Sequence, residues 1–201
     1  DVFDIFEALT TGKLENLTQF WISDNQIGDD GMKHFSNVIK PTRKLPKGAL
    51  ASLEWLTLDG NNISPDGMAA FSDALSSGAL PTLTLLELYD NEIADDGMVA
   101  LSAALSYVSK LTILWLSNNN IGDSGMIAFS KAIVDGAVPI LDMLTLYNNQ
   151  IGDDGMIALV DAISNEGLAH LTWLSLFNNK IGDKGMTAFS IALSEGHMAN
   201  L

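Results

Sequence analysis

The side chains that could perform acid–base chemistry or bind a metal form no isolated constellation in this chain. The 201 residues include three histidines and no cysteine, so disulfides, zinc–thiolate sites and cysteine nucleophiles are excluded. His34, His170 and His197 occupy three different slots of an internal repeat. Neither a Ser–His–Asp arrangement nor a carboxylate pair stands apart from that repeat. The sequence therefore predicts a protein that is not an enzyme, with no catalytic residue, no metal site and no cofactor.

The charge of the chain limits the classes of partner. There are 25 acidic and 10 basic side chains, which give a net charge of −15. This charge repels phosphate, so nucleic acids and anionic membrane surfaces are excluded as partners. The sequence has no run of 18 apolar residues, so direct membrane insertion is not predicted. A calcium loop at residues 25–30 is disfavoured because its acidic residues recur at the repeat spacing rather than at the ligand positions of such a loop. The lack of cysteine favours the cytoplasm without defining the compartment.

A phrase of the form LxxLxLxxNxI recurs six times and defines the elements that must position any site. Its first leucines are Leu17, Leu53, Leu83, Leu111, Leu141 and Leu171. In one copy, Leu86, Leu88 and Ile93 alternate with polar or aromatic residues, which predicts a strand with one buried face. Residues 98–105 then place apolar side chains at helical spacing. A single repeat cannot bury the apolar face of its strand and that of its helix, so neighbouring repeats must stack into one core.

The repeat resembles the leucine-rich repeats of the ribonuclease-inhibitor-like subtype, and the resemblance covers the whole chain. It implies an α/β solenoid shaped like a horseshoe, with a parallel β-sheet on the concave side and helices on the convex side. Residues 1–201 are expected to form a single array of about six and a half repeats, and the partial repeats at both ends predict a segment of a longer protein. The namesake is cysteine-rich with alternating repeat types, unlike this chain, so nuclease inhibition is not implied.

Several recurring residues are predicted to hold the repeats together. The asparagine of each phrase can satisfy unpaired backbone groups of the adjacent turn and bridge to the next repeat. These asparagines are Asn25, Asn61, Asn91, Asn119, Asn149 and Asn179. An aspartate at most helix starts complements the helix dipole. The glycines predicted to follow helix ends are Gly12, Gly48, Gly78, Gly136, Gly167 and Gly196. The methionines of the recurring Gly-Met pairs are predicted to pack in the core rather than to bind copper.

The strand face opposite the leucines carries the residues that we predict to bind a partner. With the first leucine as position 1, positions 3, 5 and 7 point outward on the concave side, and they hold all four tryptophans of the chain. No lysine or arginine occurs at positions 1–9 of the six phrases. The predicted anchors are Trp21, Trp55, Trp115, Trp173, Tyr89, Tyr147 and Phe177, and the predicted acidic rim is Glu54, Asp59, Glu87 and Asp90. Aromatic anchors inside a polar rim are typical of protein interfaces.

The predicted function is therefore non-catalytic protein–protein recognition, with a partner that carries a basic patch. The resemblance also implies protein recognition, because in ribonuclease-inhibitor-like proteins the concave face and its outward tryptophans bind the partner protein. Trp55, Trp115 and Trp173 lie at the strand positions that correspond to the outward tryptophans of those proteins. Three other interpretations stay open: aromatic side chains that stack on one another to stiffen the sheet, a structural or scaffold subunit of a larger assembly, and a regulatory array that acts on a GTPase.

A basic loop interrupts the regular spacing. The first two phrases are 36 residues apart, whereas the later spacings are 28 or 30 residues. The extra residues lie at 40–47 and contain four of the ten basic residues, namely Lys40, Arg43, Lys44 and Lys47. The loop is either a tolerated insertion, because length in a surface loop costs little, or a docking loop for an acidic surface.

Overall fold

The computed structural model describes residues 2–197, 200 and 201. In these residues six short strands alternate with helices and form one parallel sheet in chain order. The strands are Gln19–Trp21 (β1), Trp55–Thr57 (β2), Leu85–Glu87 (β3), Ile113–Trp115 (β4), Met143–Thr145 (β5) and Trp173–Ser175 (β6). The α-helices are Val2–Leu9 (α1), Gly28–Ile39 (α2), Pro65–Ser76 (α3), Ala94–Ala104 (α4), Asp123–Val134 (α5), Asp153–Ser164 (α6) and Asp183–Ser194 (α7), and Leu105–Val108 is a 3-10 helix. The predicted α/β horseshoe is confirmed. Within this described part, no helix is both long and apolar enough to cross a membrane.

The strands pair without any shift between repeats. Gln19 pairs with Trp55, Trp55 with Leu85, and Leu85 with Ile113. The same step continues to Trp173 at the last strand. All these residues occupy position 3 of their phrases, so equivalent positions form columns across the sheet. Side chains of one column are therefore neighbours, at the spacing of about 4.8 Å between strands.

The core lies between the sheet and the helices, as the leucine pattern predicts. Leu86, Leu88 and Ile93 are fully buried. The buried methionines of the Gly-Met pairs are Met32, Met68, Met98, Met126 and Met156. The sixth, Met186, is 50% exposed, because no described repeat packs over the last helix. Core packing is thus confirmed for five of these six methionines.

The asparagine ladder is confirmed for five of the six predicted asparagines, whereas Asn25, which no earlier described repeat precedes, donates to the carbonyl oxygen of Ser23 in its own turn. The Nδ2 of Asn61 donates to the carbonyl oxygens of Ile22 and Leu58 at 2.9 and 3.0 Å. Its Oδ1 accepts from the backbone N–H groups of Asn25 and Ile27 at 3.0 and 3.2 Å. One amide therefore joins two consecutive repeats. Corresponding bonds are made by Asn91, Asn119, Asn149 and Asn179.

The helix-start aspartates do more than complement the dipole of their own helix. The Oδ1 of Asp123 accepts from the backbone N–H groups of Gly152 and Gly155, at 2.6 and 2.9 Å, where the next helix begins. Equivalent bonds to the following repeat are made by Asp29, Asp95 and Asp153. Each of these carboxylates therefore caps the helix of the next repeat. We call this contact the aspartate clamp.

The aspartate clamp also gives Asp29, one of the acids at residues 25–30, its own hydrogen-bond donors. The carboxylate of Asp29 already accepts from the backbone and hydroxyl of Ser64, at 2.9 and 2.7 Å, and from the backbone of Gly67, at 3.1 Å. Burial alone would raise the pKa of Asp29. The hydrogen bonds from Ser64 and Gly67 outweigh burial and lower this pKa below its ordinary value.

Among the described residues, the α3–α4 junction lacks the aspartate clamp, as does the start of α2, which no earlier described phrase precedes. Pro65 occupies the aspartate slot in α3, and among the described residues no carboxylate caps the start of α4. The backbone N–H of Ala94 instead donates to the carbonyl oxygen of Asn119 at 2.8 Å, and Ala94 adopts a left-handed φ of +51°. At the clamped starts, Gly152 and Gly182 have φ of −102° and −101°. The α3–α4 junction is therefore held by fewer bonds between repeats than its neighbours.

The helix ends follow the glycine prediction with one exception. Gly78, Gly136 and Gly196 have left-handed φ values of +89°, +90° and +83°, where a glycine avoids the strain of a Cβ. In the repeat that contains α6, the left-handed residue is Glu166, with φ +62°. The prediction for Gly167 is thus wrong by one position, because Glu166 is the residue that aligns with Gly136.

The basic loop at residues 40–47 is folded against the array. The Nζ of Lys40 lies 2.5 Å from Oδ2 of Asp73 on the next helix. The backbone N–H of Leu45 donates to the hydroxyl of Thr42 at 3.0 Å, and the Leu45 side chain packs against the core. The exposed basic side chains of the loop are Arg43, Lys44 and Lys47. The loop is an ordered insertion, and its docking role stays a prediction.

Candidate functional site

The columns of outward residues place the predicted anchors together on the concave face. Each anchor belongs to position 3, 5 or 7 of its phrase, as the sequence predicts. Four of the anchors are exposed, namely Trp21 (66%), Trp55 (39%), Trp173 (56%) and Phe177 (58%). The half-buried anchors are Tyr89, Trp115 and Tyr147. The predicted anchors therefore lie on one face of the sheet and are spread over all six repeats.

Two depressions divide the concave face, and they meet at Tyr89. The acidic depression lies over β1–β3 and has a volume of about 460 Å³. It is lined by Trp21, Ser23, Asp24, Thr57, Asp59, Glu87 and Tyr89. The aromatic depression lies over β3–β6 and has a volume of about 450 Å³. It is lined by Tyr89, Trp115, Met143, Thr145, Tyr147, Trp173, Ser175 and Phe177, none of which carries a charge at neutral pH.

Ring pairs on neighbouring strands form part of the aromatic depression. The rings of Tyr147 and Phe177 are stacked, with centroids 4.5 Å apart and planes at 4°. The rings of Tyr89 and Trp115 are tilted by 50°, with centroids 6.2 Å apart. Such pairs stiffen a sheet, which supports the stacking interpretation. Phe177 nevertheless keeps more than half of its surface exposed, so stacking and binding can coexist.

The carboxylates of the acidic depression are crowded. Asp59 is 4% exposed, and its Oδ1 accepts from the hydroxyl of Ser23 at 2.6 Å. Burial and the negative charge of Asp59 raise the pKa of Glu87. Burial, and then the interaction with Asp59, raise the pKa of Tyr89 to about 12, so its hydroxyl stays protonated at neutral pH. Among the residues that the structure describes, no lysine or arginine pairs with Asp59 or Glu87.

The predicted acidic rim is spread over three places. Asp59 lies at the bottom of the acidic depression rather than on an exposed rim, because Ser23 and Tyr89 flank it in the same column. Glu87 lines the same depression and is half-buried. Glu54 and Asp90 are exposed near opposite ends of the strands and line neither depression. The nearest concentration of negative charge to the aromatic side chains is therefore Glu87 with Asp59.

Six residues that line the depressions are outside the predicted set, namely Ser23, Asp24, Thr57, Met143, Thr145 and Ser175. Two of them matter most for the chemistry. Asp24 lines the acidic depression, although it occupies position 8 of its phrase, the same position as Asp90. Met143 lines the aromatic depression and pairs in register with Trp173. The column arrangement was the available signal in both cases, because it places each residue beside an anchor or a rim acid. Trp55, by contrast, is exposed but lines neither depression.

Two polar groups near the centre of the sheet have no intramolecular partner. The indole N–H of Trp115 and the hydroxyl of Ser117 are buried and make no hydrogen bond with the described residues. Each such group costs on the order of 1–3 kcal/mol of stability. The hydroxyls of Ser36, Ser72 and Ser130 on the helices are likewise buried without a partner among the described residues, so this feature does not distinguish the concave face.

The titratable residues that the structure describes are spread along the repeats. Within the described residues, no set of three or more His, Cys, Asp or Glu side chains could hold a metal ion. His34 lies 3.1 Å from Glu7, and His197 lies 3.3 Å from Glu195. His170 precedes β6 in the turn of another repeat. The three histidines are thus distributed along the solenoid.

Comparison with known proteins agrees with this architecture. The family described as Leucine Rich repeat matches residues 13–36, 79–102, 109–130, 144–160 and 167–190, which is more than half of the chain. No curated protein matches significantly. The solved structure titled leiomodin-1 actin-binding site 2 is similar, with a TM-score of 0.58 at 15% identity over 99% of this chain and 91% of that chain. The tropomodulin C-terminal domain of Caenorhabditis elegans has a TM-score of 0.54 at 11% identity over 99% of this chain and 95% of that chain. At these identities the likeness shows the fold alone.

Proposed function

This chain belongs to the leucine-rich repeat family, and we propose that it is a non-catalytic protein-recognition module that binds its partner on the concave face. One observation carries the proposal. The rings of Tyr89, Trp115, Tyr147, Trp173 and Phe177 lie on one sheet face and line one depression that has no charged lining residue. The outward face of a sheet that meets only water is normally polar, whereas contiguous exposed apolar surface marks interaction sites.

The charge of this face supports a partner with a basic patch. Asp24, Asp59 and Glu87 line the acidic depression, and no lysine or arginine occupies positions 1–9 of any phrase. Opposite charges steer the encounter of two proteins and fix their register. A partner with lysine or arginine side chains beside an apolar surface therefore complements this face.

The ribonuclease-inhibitor-like subtype is part of the proposal. Successive phrases are mostly 28 or 30 residues apart, and a helix of 11 or 12 residues follows each of the six strands. A full α-helix in each long repeat is the feature that the subtype resemblance implies. The similar leiomodin-1 structure is an actin-binding site by its title, so this fold has a member that binds a protein.

Affinity capture with matched variants tests the proposed surface. The bait is the chain itself, beside Trp115→Ala/Trp173→Ala on the concave face and Val99→Ala/Ile127→Ala on the helices. Val99 and Ile127 are 46% and 48% exposed, so the second pair also removes exposed apolar surface. We expect the wild type and the helix variant to retain the same proteins and the concave variant to lose them.

The captured partner then allows a quantitative test. Trp115→Ala/Trp173→Ala should weaken its binding by more than about 2 kcal/mol, because aromatic anchors dominate interface energies, while the unfolding midpoint changes little. Unchanged affinity of this variant, or loss of the partner only with Val99→Ala/Ile127→Ala, would place the interface elsewhere.

A further inference from the structure

The two depressions have different chemistry, which restricts what can occupy them together. The acidic depression contains carboxylates and the exposed ring of Trp21. The aromatic depression contains rings and the thioether of Met143, with no charged lining residue. A positively charged side chain fits the first and an apolar side chain fits the second. A partner that covers both must therefore present the two kinds of side chain at a fixed separation.

In the acidic depression, Glu87 and Asp24 remain available to a cation, and Glu87 is the one beside the aromatic depression, because it pairs in register with Trp115. Asp59 is almost fully buried and already accepts a hydrogen bond from Ser23. Glu87 is half-buried beside it and has no lysine or arginine partner among the described residues. A cation placed at Glu87 would offset the repulsion between these two carboxylates.

The rings beside Glu87 favour a guanidinium over an ammonium group. Trp21 and Tyr89 line the same depression as Glu87. A guanidinium is planar, stacks on aromatic rings and donates two parallel hydrogen bonds to one carboxylate. An ammonium group is a compact point charge that is more strongly hydrated. The chemistry of this depression therefore matches arginine.

The sheet register sets the distance between the two parts of the site. Glu87 on β3 pairs with Trp115 on β4, and Trp115 pairs with Thr145 on β5. Thr145 pairs with Ser175 on β6. Neighbouring strands are about 4.8 Å apart, so the part of the aromatic depression over β5 and β6 lies about 10–14 Å from Glu87.

We propose that the partner presents an arginine to Glu87 and an aromatic or aliphatic side chain to the aromatic depression, about 10–14 Å away, on one face of the same segment. This inference rests on the proposed function and deepens it. An extended segment advances about 3.3 Å per residue, and its side chains alternate between faces. An offset of four residues spans about 13 Å with both side chains on one face, whereas offsets of two and eight residues span about 7 and 26 Å.

Synthetic peptides of one length test the spacing. Each contains one arginine and one phenylalanine in a Gly/Ser background, at an offset of two, four or eight residues and in both orders. A fourth set replaces arginine by lysine at offset four. Binding is measured by the emission of the four tryptophans, which all lie on the concave face. We expect offset four to bind about tenfold tighter than offsets two and eight, a difference of about 1.4 kcal/mol, and the lysine peptide to bind more weakly than its arginine counterpart.

Variants of the chain assign the two contacts. Glu87→Gln should abolish the advantage of the arginine peptide over one with glutamine in its place, while Asp161→Asn, an exposed acid on α6, should leave it unchanged. Trp115→Ala/Trp173→Ala, measured by calorimetry because it removes two of the four tryptophan reporters, should weaken the binding of every peptide that contains phenylalanine. No emission change with the offset-four peptide up to about 5 mM would overturn the inference, as would equal binding at all offsets.

The outcomes also separate this inference from the proposed function. The peptides could lose affinity for the Trp115→Ala/Trp173→Ala variant while their affinity depends neither on the offset nor on Glu87→Gln. That result would overturn the proposed spacing and leave concave-face binding intact. If a captured protein partner is unaffected by Trp115→Ala/Trp173→Ala, the proposed function itself fails, whatever the peptides do.

Discussion

The strand-to-helix turns and the concave face use their polar groups in opposite ways. At the turns, the buried amide of Asn119 donates to the carbonyl oxygens of Leu88 and Leu116, at 2.8 and 3.2 Å, and accepts from the N–H of Ile93. On the concave face, the indole N–H of Trp115 is buried without an acceptor among the described residues.

The same contrast holds for the carboxylates of the two regions. Asp123 at a turn accepts two backbone N–H groups of the next repeat, whereas Glu87 on the concave face lies beside Asp59 and its pKa is raised by burial and by that charge. Buried polar groups that are satisfied stabilise a fold, and those that are not weaken it. We infer that the turns hold the array together and that the Glu87 carboxylate on the concave face keeps capacity to bind a partner.

The largest expected effect is at the turns. Asn119→Ala removes an amide that joins consecutive repeats and leaves several buried backbone groups unpaired, so we expect a loss of about 1–3 kcal/mol in unfolding free energy. Urea unfolding followed by circular dichroism measures it. Asn37→Ala, at an exposed position of α2, serves as the control and should change the midpoint little. Equal effects of the two substitutions would contradict the ladder.

The aspartate clamp should give a smaller effect that a matched pair can isolate. Asp123→Ala removes a cap from α6 and should cost about 0.5–2 kcal/mol. Asp183 occupies the same slot, but no described helix start lies beyond it, so Asp183→Ala should lose only the dipole term, about 0.3–1 kcal/mol. Thermal unfolding of both variants measures the difference. If Asp183→Ala costs as much as Asp123→Ala, the contact between repeats contributes nothing.

The unclamped junction predicts a stabilising substitution. Ala94 has a left-handed φ of +51°, which glycine adopts without strain, so Ala94→Gly should stabilise the fold by about 0.5 kcal/mol. Ala128→Gly, inside helix α5, should instead destabilise by about 1 kcal/mol. Urea midpoints distinguish the two substitutions by sign. A destabilising Ala94→Gly would contradict the assignment of strain to this junction.

The smallest expected effect concerns the acidic depression. The pKa of Glu87 in the folded state is raised above its ordinary value of 4.5. The ionised carboxylate therefore destabilises the folded state at pH values above this folded-state pKa. The penalty disappears as the pH falls and Glu87 binds a proton. Glu87→Gln should therefore raise stability at neutral pH by a few tenths of a kcal/mol. The gain should vanish well below pH 4.5. A gain that persists at low pH would exclude relief of this charge as its cause.

The repeat pattern carried most of the fold information. The leucines at period two, the apolar helical stripe and the asparagine of each phrase predicted the strands, the helices and the ladder, because each of these signals recurs in all six copies. The aspartate clamp was not predictable from one repeat, since its donor and acceptor lie in different repeats. Glu166 takes the left-handed position although a glycine, Gly167, follows it directly, so glycine placement alone does not predict this helix end.

The candidate site was predictable as a set of columns but not as a shape. Alternation along the strands placed the tryptophans on the concave side. The sequence did not indicate that Asp59 is buried next to Ser23, because burial there depends on how the side chains of neighbouring strands pack. The division of the face at Tyr89 likewise follows from side-chain packing across strands.

Fluorine NMR of the chain labelled with 5-fluorotryptophan tests the central claim most directly. All four tryptophans lie on the concave face, so each resonance reports on that surface alone. Saturation with a captured protein partner should shift or broaden the resonances of Trp115 and Trp173, assigned from the single Trp115→Phe and Trp173→Phe variants. Four unchanged resonances at full saturation would contradict binding on the concave face.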